Sequence, residues 1–232
     1  MDYYYQPPAY SSPNYNQYIP HNSSDEKETR LKEFFSKYEI SPLFQEDIQC
    51  VKNYDIVVVC DDSASMNELS SYMSLKTNRM MTNTRWNELQ ETVEVIVELG
   101  VLLNENGIDI WFLNREHPIK NVRSKKTVDT IFNIKPCGRT PLTRCIQRVM
   151  ESPSINPKLI LVVTDGEPND DHEYSDCNNF VNLLKSRDAK KNRISIIACT
   201  QSEAQIEWLN RVDGEIEQVD VIDTIYQSVN KS

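Results

Sequence analysis

Two apolar runs constrain this chain more than anything else in it. DIVVVC (Asp55 to Cys60) and KLILVVTDG (Lys158 to Gly166) are short, continuous and rich in β-branched residues. Runs of this length without polar alternation mark strands covered on both faces, as in a parallel sheet flanked by helices. Each run stops on acid: Asp61-Asp62 after the first, Asp165 within the end of the second. Two separate strands therefore carry carboxylates to the same edge of one sheet.

The segments between them alternate. Trp86 to Asn106 predicts a helix, with Trp86, Leu89, Val93, Ile96, Val97 and Val101 on one stripe and Gly107 as its stop. IDIWFL (Ile108 to Leu113) is a strand, Pro118 to Val122 a short edge strand, and TVDTIFNI (Thr127 to Ile134) a helix. CGRTPLT (Cys137 to Thr143) is a turn feeding a helix that runs to Glu151. A helix over Asn178 to Lys190, a strand over Arg193 to Cys199, a helix over Ala204 to Val212, a strand over Ile216 to Val221 and a terminal helix complete the pattern. Strand and helix in turn predict an α/β fold: a doubly wound, mostly parallel, Rossmann-like sheet that binds ligands beyond the carboxyl ends of its strands. The polar stretch from Asp62 to Arg85 has no period. Its Met-rich centre, MSLKTNRMM (Met73 to Met81), is expected to be a loop beside that edge.

The ends read differently. Residues 1–23 hold six of the 11 tyrosines among Pro, Ser and Asn, with almost no aliphatic residue, and are expected to be disordered. Pro7, Pro8 and Tyr10 form a P-P-x-Y pattern that resembles the ligand of WW domains, so a WW-domain protein is one candidate partner. A capping box at Ser23-Ser24-Asp25-Glu26 starts a helix with Leu31, Phe34, Phe35 and Tyr38 on one face. Ser41-Pro42 opens a second, LFQEDIQCV. These divide the chain into a tail (1–23), a helical N-terminal extension (24–53) and the main α/β domain (54–232).

Composition narrows the function classes. The net charge is −10, from 25 basic and 35 acidic residues, which disfavours nucleic acid and anionic lipid as partners. The densest basic run, Lys120 to Lys126, reads as a solvated loop. No stretch approaches the roughly 20 apolar residues of a membrane span, and the N-terminus lacks the positive start and apolar core of a signal peptide. The six cysteines (50, 60, 137, 145, 177, 199) are scattered and form no C-x-x-C, so reduced thiols and a cytoplasmic location are expected. His21, His117 and His172 lie far apart in polar surroundings and read as surface residues.

The chemistry gathers at the strand ends. Past Cys60, alternate residues Asp61, Ser63 and Ser65 can face one pocket. Thr140 of the GRTPL turn and Asp165 add two more oxygen donors. A donor set of oxygen alone suits a hard divalent cation: Mg²⁺ first, then Mn²⁺ or Ca²⁺. Taken singly each residue is an ordinary turn or loop residue; the combination carries the reading. Asp62 is expected to face solvent or to brace a neighbouring loop.

Asp61-Asp62-Ser63-Ala64-Ser65, with Thr140 in Gly138-Arg139-Thr140-Pro141-Leu142 and Asp165 in Val163-Thr164-Asp165-Gly166, resembles the metal-ion-dependent adhesion site (MIDAS) of von Willebrand factor A (vWA) domains. The resemblance covers about residues 54–228. It implies a non-enzymatic binding module in which the serines and threonine ligate the metal directly and the aspartates act through water. The cation then takes an Asp or Glu carboxylate from a partner protein. Ala64 departs from the Gly that many members carry at that place. Rival readings from other classes are a receiver-like phosphotransfer domain or phosphatase using Asp61 and Asp165, and a structural domain with a vestigial metal site. Against the first, no lysine follows the late strand, where Cys199-Thr200-Gln201 stands; against a haloacid-dehalogenase-type site, Ser63 occupies the place of the second Asp.

Overall fold

The computed structural model describes residues 24–169 and 174–199, together with 208–209, 212–214, 216 and 219–223. The tail with Pro7, Pro8 and Tyr10, most of the expected 204–212 helix and the terminal helix lie outside these residues.

Strand β1 (Asp55–Cys60) is central. After it come the hairpin strands β2 (Leu69–Met73) and β3 (Met80–Thr84), then helix α3 (Arg85–Leu103). Strands β4 (Ile108–Phe112) and β5 (Ile119–Val122) lead into α4 (Lys125–Phe132) and α5 (Leu142–Glu151). Strand β6 (Lys158–Thr164), α6 (Cys177–Ser186), β7 (Asn192–Ala198) and β8 (Val219–Asp223) follow. Before all of these stand α1 (Ser24–Lys37) and α2 (Pro42–Cys50). The main sheet has the order β5-β4-β1-β6-β7-β8, parallel except for the antiparallel edge strand β5. The chain thus builds outward from β1 in one direction, then returns to build outward in the other. The reversal lies between β1 and β6, and in open α/β sheets such a switch point opens a crevice at the carboxyl ends.

Period-two alternation explains why β1 reads as one unbroken apolar run. Val57 and Val59 face a layer made with Leu142, Ile146 and Val149 of α5 and Phe180 and Leu184 of α6. Ile56, Val58 and Cys60 face the opposite layer, with Trp86, Leu89, Val93 and Val97 of α3 and Val128 and Phe132 of α4. Each fully buried side chain of this kind contributes about 1.5–3 kcal/mol. The N-terminal helix α1 adds Leu31, Phe34 and Phe35 to a third cluster with Leu102 and Leu103 at the far end of α3.

Element limits shift by a few residues from the sequence reading. Helix α3 ends at Leu103, and Gly107 takes a φ of +76° in the turn beyond it; a β-carbon there would lie 2.6 Å from the Val122 carbonyl oxygen. The stretch 62–85, which has no period and whose centre, Met73 to Met81, is expected to be a loop, differs more. Its residues form a short 3-10 turn, Ala64–Asn67, and an antiparallel hairpin pairing Leu69 with Thr84 through Met73 with Met80. The hairpin escapes a search for alternating apolar residues because most of its apolar side chains face out, Tyr72 excepted. Leu69, Met73 and Met80 are exposed, while the inner face is tied down by polar groups.

Candidate functional site

Parallel register sets the site. Cys60 lies opposite Val163, so Asp61 falls level with Thr164 and Asp165 one step further out. Asp61 continues the ladder, its N–H donating to the Val163 carbonyl at 2.9 Å. Thr164 donates its hydroxyl to Asp61 Oδ2 at 2.6 Å. The other oxygen, Oδ1, accepts the Ser63 N–H at 2.9 Å, closing the tight turn that follows β1. Asp61 is fully buried with both oxygens held.

The turn brings the serines over Asp165. Ser63 Oγ and Ser65 Oγ are 3.0 Å apart, and Ser65 donates to Asp165 Oδ1 at 2.9 Å. Asp61 and Asp165 are at 0% and 1% exposure, so neither is neutralised by bulk water. Burial and the negative charge of Asp165 push the Asp61 carboxyl up to about 7. Burial also raises Asp165, against the opposing pull of Arg85.

Thr140 stands on a loop beside the serine turn, fastened from two sides. Ala64 N–H donates to the Gly138 carbonyl at 3.0 Å, and Cys137 N–H to the Asp62 carbonyl at 2.8 Å. On the other side, Thr140 N–H donates to Asn169 Oδ1 at 2.9 Å, and Asn169 N–H returns a bond to the Thr140 carbonyl at 3.1 Å. Gly138 takes a φ of +98°, with Asn114 Oδ1 2.6 Å from where a β-carbon would stand. Thr140 itself is buried. All five residues singled out in the sequence therefore lie on three adjoining segments at the β1/β6 crevice, with Ser63, Ser65 and Asp165 in direct succession.

Asp62 takes the bracing role of the two expected for it. It is buried and accepts from Asn114 N–H at 2.8 Å and from the Asn114 side-chain amide at 3.1 Å, with Arg115 Nε 3.3 Å away. It holds the end of β4 rather than entering the crevice.

Three participants escaped sequence reading. Thr164 is one, although its place opposite Asp61 follows once β1 and β6 are paired. Asn169 is the second. The third is Arg85, the first residue of α3, whose Nη1 donates to Asp165 Oδ2 at 2.7 Å and lies 2.9 Å from Glu68 Oε2. No local pattern marks Arg85, because 80 residues separate it from Asp165.

The donor chemistry fits a hard cation. An octahedron with metal–oxygen bonds of about 2.1 Å has edges of about 3.0 Å, and Mg²⁺ demands that geometry. The Ser63–Ser65 and Ser65–Asp165 oxygen separations, 3.0 and 2.9 Å, are edges of that length. Hydrogen bonds have the same length, and the two buried carboxylates stand beside one guanidinium, that of Arg85.

Comparison with known proteins supports the fold alone. No protein-family profile matches the sequence, and no curated protein matches it. Among solved structures, the fold is similar to the SpRpn10 VWA domain, with a TM-score of 0.50 and 14% identity, over 75% of this chain and 90% of that one. The PilB minor pilin from Streptococcus sanguinis aligns with a TM-score of 0.47 and 13% identity, over 74% of this chain; the alignment spans 57% of the pilin chain. The architecture is a Rossmann-like, vWA-like α/β fold. Among the described residues, no helix is long and apolar enough to cross a membrane.

Proposed function

We propose that this chain is a protein-binding module that grips an acidic residue of its partner through a divalent cation. Ser63, Ser65 and Thr140 would give the cation neutral oxygens, and Asp61 and Asp165 would give it charge. Mg²⁺ is the first candidate and Mn²⁺ or Ca²⁺ the alternatives. When bound, the cation supplies an electrophilic centre for a carboxylate. The observation that carries this reading is the hydrogen-bonded run Ser63–Ser65–Asp165 beside buried Asp61, at the switch point of the sheet. The chain's own part is to hold these oxygens in place. The Asp61 turn fixes Ser63, Thr164 fixes Asp61, and the Ala64–Gly138 and Thr140–Asn169 bonds fix the loop that carries Thr140.

We read the site as non-enzymatic. Phosphotransfer at Asp165 would want a lysine at the end of a late strand, and β7 runs out at Ala198-Cys199.

Titration with Mn²⁺, followed by electron paramagnetic resonance, tests the proposal. The parent chain should bind, and Ser63→Ala combined with Ser65→Ala should weaken binding about tenfold or more. Equal affinities would show that the hydroxyls are not ligands and end the proposal. A pull-down with Mg²⁺ or with chelator, repeated with Thr140→Ala, then identifies partners: true ones are lost in both the chelated and the variant arms.

A further inference from the structure

The Arg85 guanidinium stands between two carboxylates of very different exposure. On its inner side Asp165 Oδ2 is 2.7 Å from Nη1 and 1% exposed. On its outer side Glu68 Oε2 is 2.9 Å from the same nitrogen, on a side chain 63% exposed. Arg85 itself is 14% exposed. The backbone keeps this arrangement in place: Arg85 N–H donates to the Glu68 carbonyl at 2.9 Å, so residues 68 and 85 are neighbours whatever their rotamers.

The two pairs differ in how readily they part. A buried charge-assisted bond resists separation, because each partner left alone is an uncompensated charge out of water. An exposed pair is worth only about 0.2–1 kcal/mol, because water solvates the released carboxylate and a long side chain regains its freedom. Arg85 therefore stays fixed on Asp165, and Glu68 is the group that leaves. Arginine carries five N–H donors in a planar fork, and its geometry favours carboxylates.

We infer that Arg85 is an acid-binding residue of the site, and that Glu68 is a resident acid occupying the place a partner's carboxylate takes. The inference rests on the reading above in one respect, that the partner presents an Asp or Glu. It does not depend on the metal. Glu68 sets a threshold: an incoming acid binds by exchange, so a weakly placed carboxylate does not hold the site.

The test uses N-acetyl-glutamate N-methylamide as probe, titrated into the full chain in Mg²⁺ and again in chelator. The corresponding glutamine amide serves as the neutral control. Binding is followed in every chain by isothermal titration calorimetry and, in the chains that keep Arg85, also by the Arg85 Nε–Hε resonance in nitrogen–proton NMR. Glu68→Gln should bind the glutamyl probe about twofold to fivefold tighter than the parent, the fold-change corresponding to an exposed ion pair. Arg85→Gln should weaken it about fivefold or more, and Arg85→Lys, which keeps the charge, should fall between. Melting curves for the variants confirm that they are folded.

An unchanged or weaker affinity for Glu68→Gln overturns the inference, as does a probe that leaves the Arg85 resonance unmoved. If that happens while Mg²⁺ still raises the parent's affinity, this inference falls and the cation reading stands. If Glu68→Gln gains affinity equally in Mg²⁺ and chelator, and Mg²⁺ adds nothing, Arg85 holds acid without metal: this inference stands and the cation reading falls.

Discussion

Helix α3 has two buried faces built on opposite principles. Toward the sheet it presents Trp86, Leu89, Val93 and Val97, all apolar, packed on β1 and β4. Toward the hairpin it presents Glu88, Glu91 and Glu94, which are 4%, 7% and 6% exposed. Glu91 accepts the Ser74 hydroxyl at 2.6 Å and the Lys76 N–H at 2.7 Å, with the Tyr72 hydroxyl at 3.5 Å. Glu94 pairs with Lys76 Nζ at 2.6 Å and Lys125 Nζ at 2.5 Å. Glu88 Oε2 has no hydrogen-bond partner. One helix is thus welded to the sheet by non-directional burial and clasped to the hairpin by directed hydrogen bonds. The first kind of face tolerates imprecise geometry but not lost volume; the second tolerates neither a lost acceptor nor dry surroundings.

Three experiments break or sharpen this contrast. The largest effect belongs to the apolar face. Leu89→Ala should destabilise the whole domain by about 2–5 kcal/mol in urea unfolding, since Leu89 is fully buried. Second, Glu91→Ala strands the buried Ser74 hydroxyl and the part-buried Lys76 N–H and should cost about 1–3 kcal/mol. That loss should show as faster amide exchange confined to residues 69–84, with protection in β1 and β6 unchanged. If β1 and β6 exchange faster too, the two faces are one cooperative unit and the contrast fails.

The smallest effect, and the most specific, concerns Glu88. Burial pushes its carboxyl up to about 7, above its ordinary value of 4.5. Between these values the folded chain holds a proton that the unfolded chain releases, so stability falls as pH rises from about 4.5 to about 7. Glu88→Gln removes that loss. Relative to the parent it should be more stable by at most about 3 kcal/mol at pH 8 and indistinguishable near pH 4. A constant difference across the range would show that Glu88 is not titrating there. Asp61 titrates over a similar range and remains in both chains, so it cancels in the comparison.

The same contrast explains what was legible in the sequence. Strands β1 and β6 announced themselves because burial on both faces leaves no room for polar alternation, and Trp86, Leu89, Val93 and Val97 gave α3 its period. The five candidate residues were visible because they sit at the ends of those same strands or in a turn with its own signature, GRTPL. The hairpin was hidden because its stabilising partners are glutamates on another element, off the apolar stripe that marks that helix. Arg85 was hidden for the related reason that its partner, Asp165, is distant in the chain. Apolar burial writes a local period into sequence; directed polar pairing between distant residues does not. Thr164 is the intermediate case, obvious once the register of β1 against β6 is known.

The backbone bond from Arg85 to Glu68 has a further consequence. The chain leaves at residue 68, travels out along β2, returns along β3 and arrives at 85 beside its point of departure. Residues 69–84 are therefore an excursion, and a short linker from 68 to 85 would restore the path without rerouting it. The surface such an excision would uncover on α3 is acidic and needs only water to satisfy it. The hairpin can therefore lengthen or shorten without changing the path of the chain on either side of it.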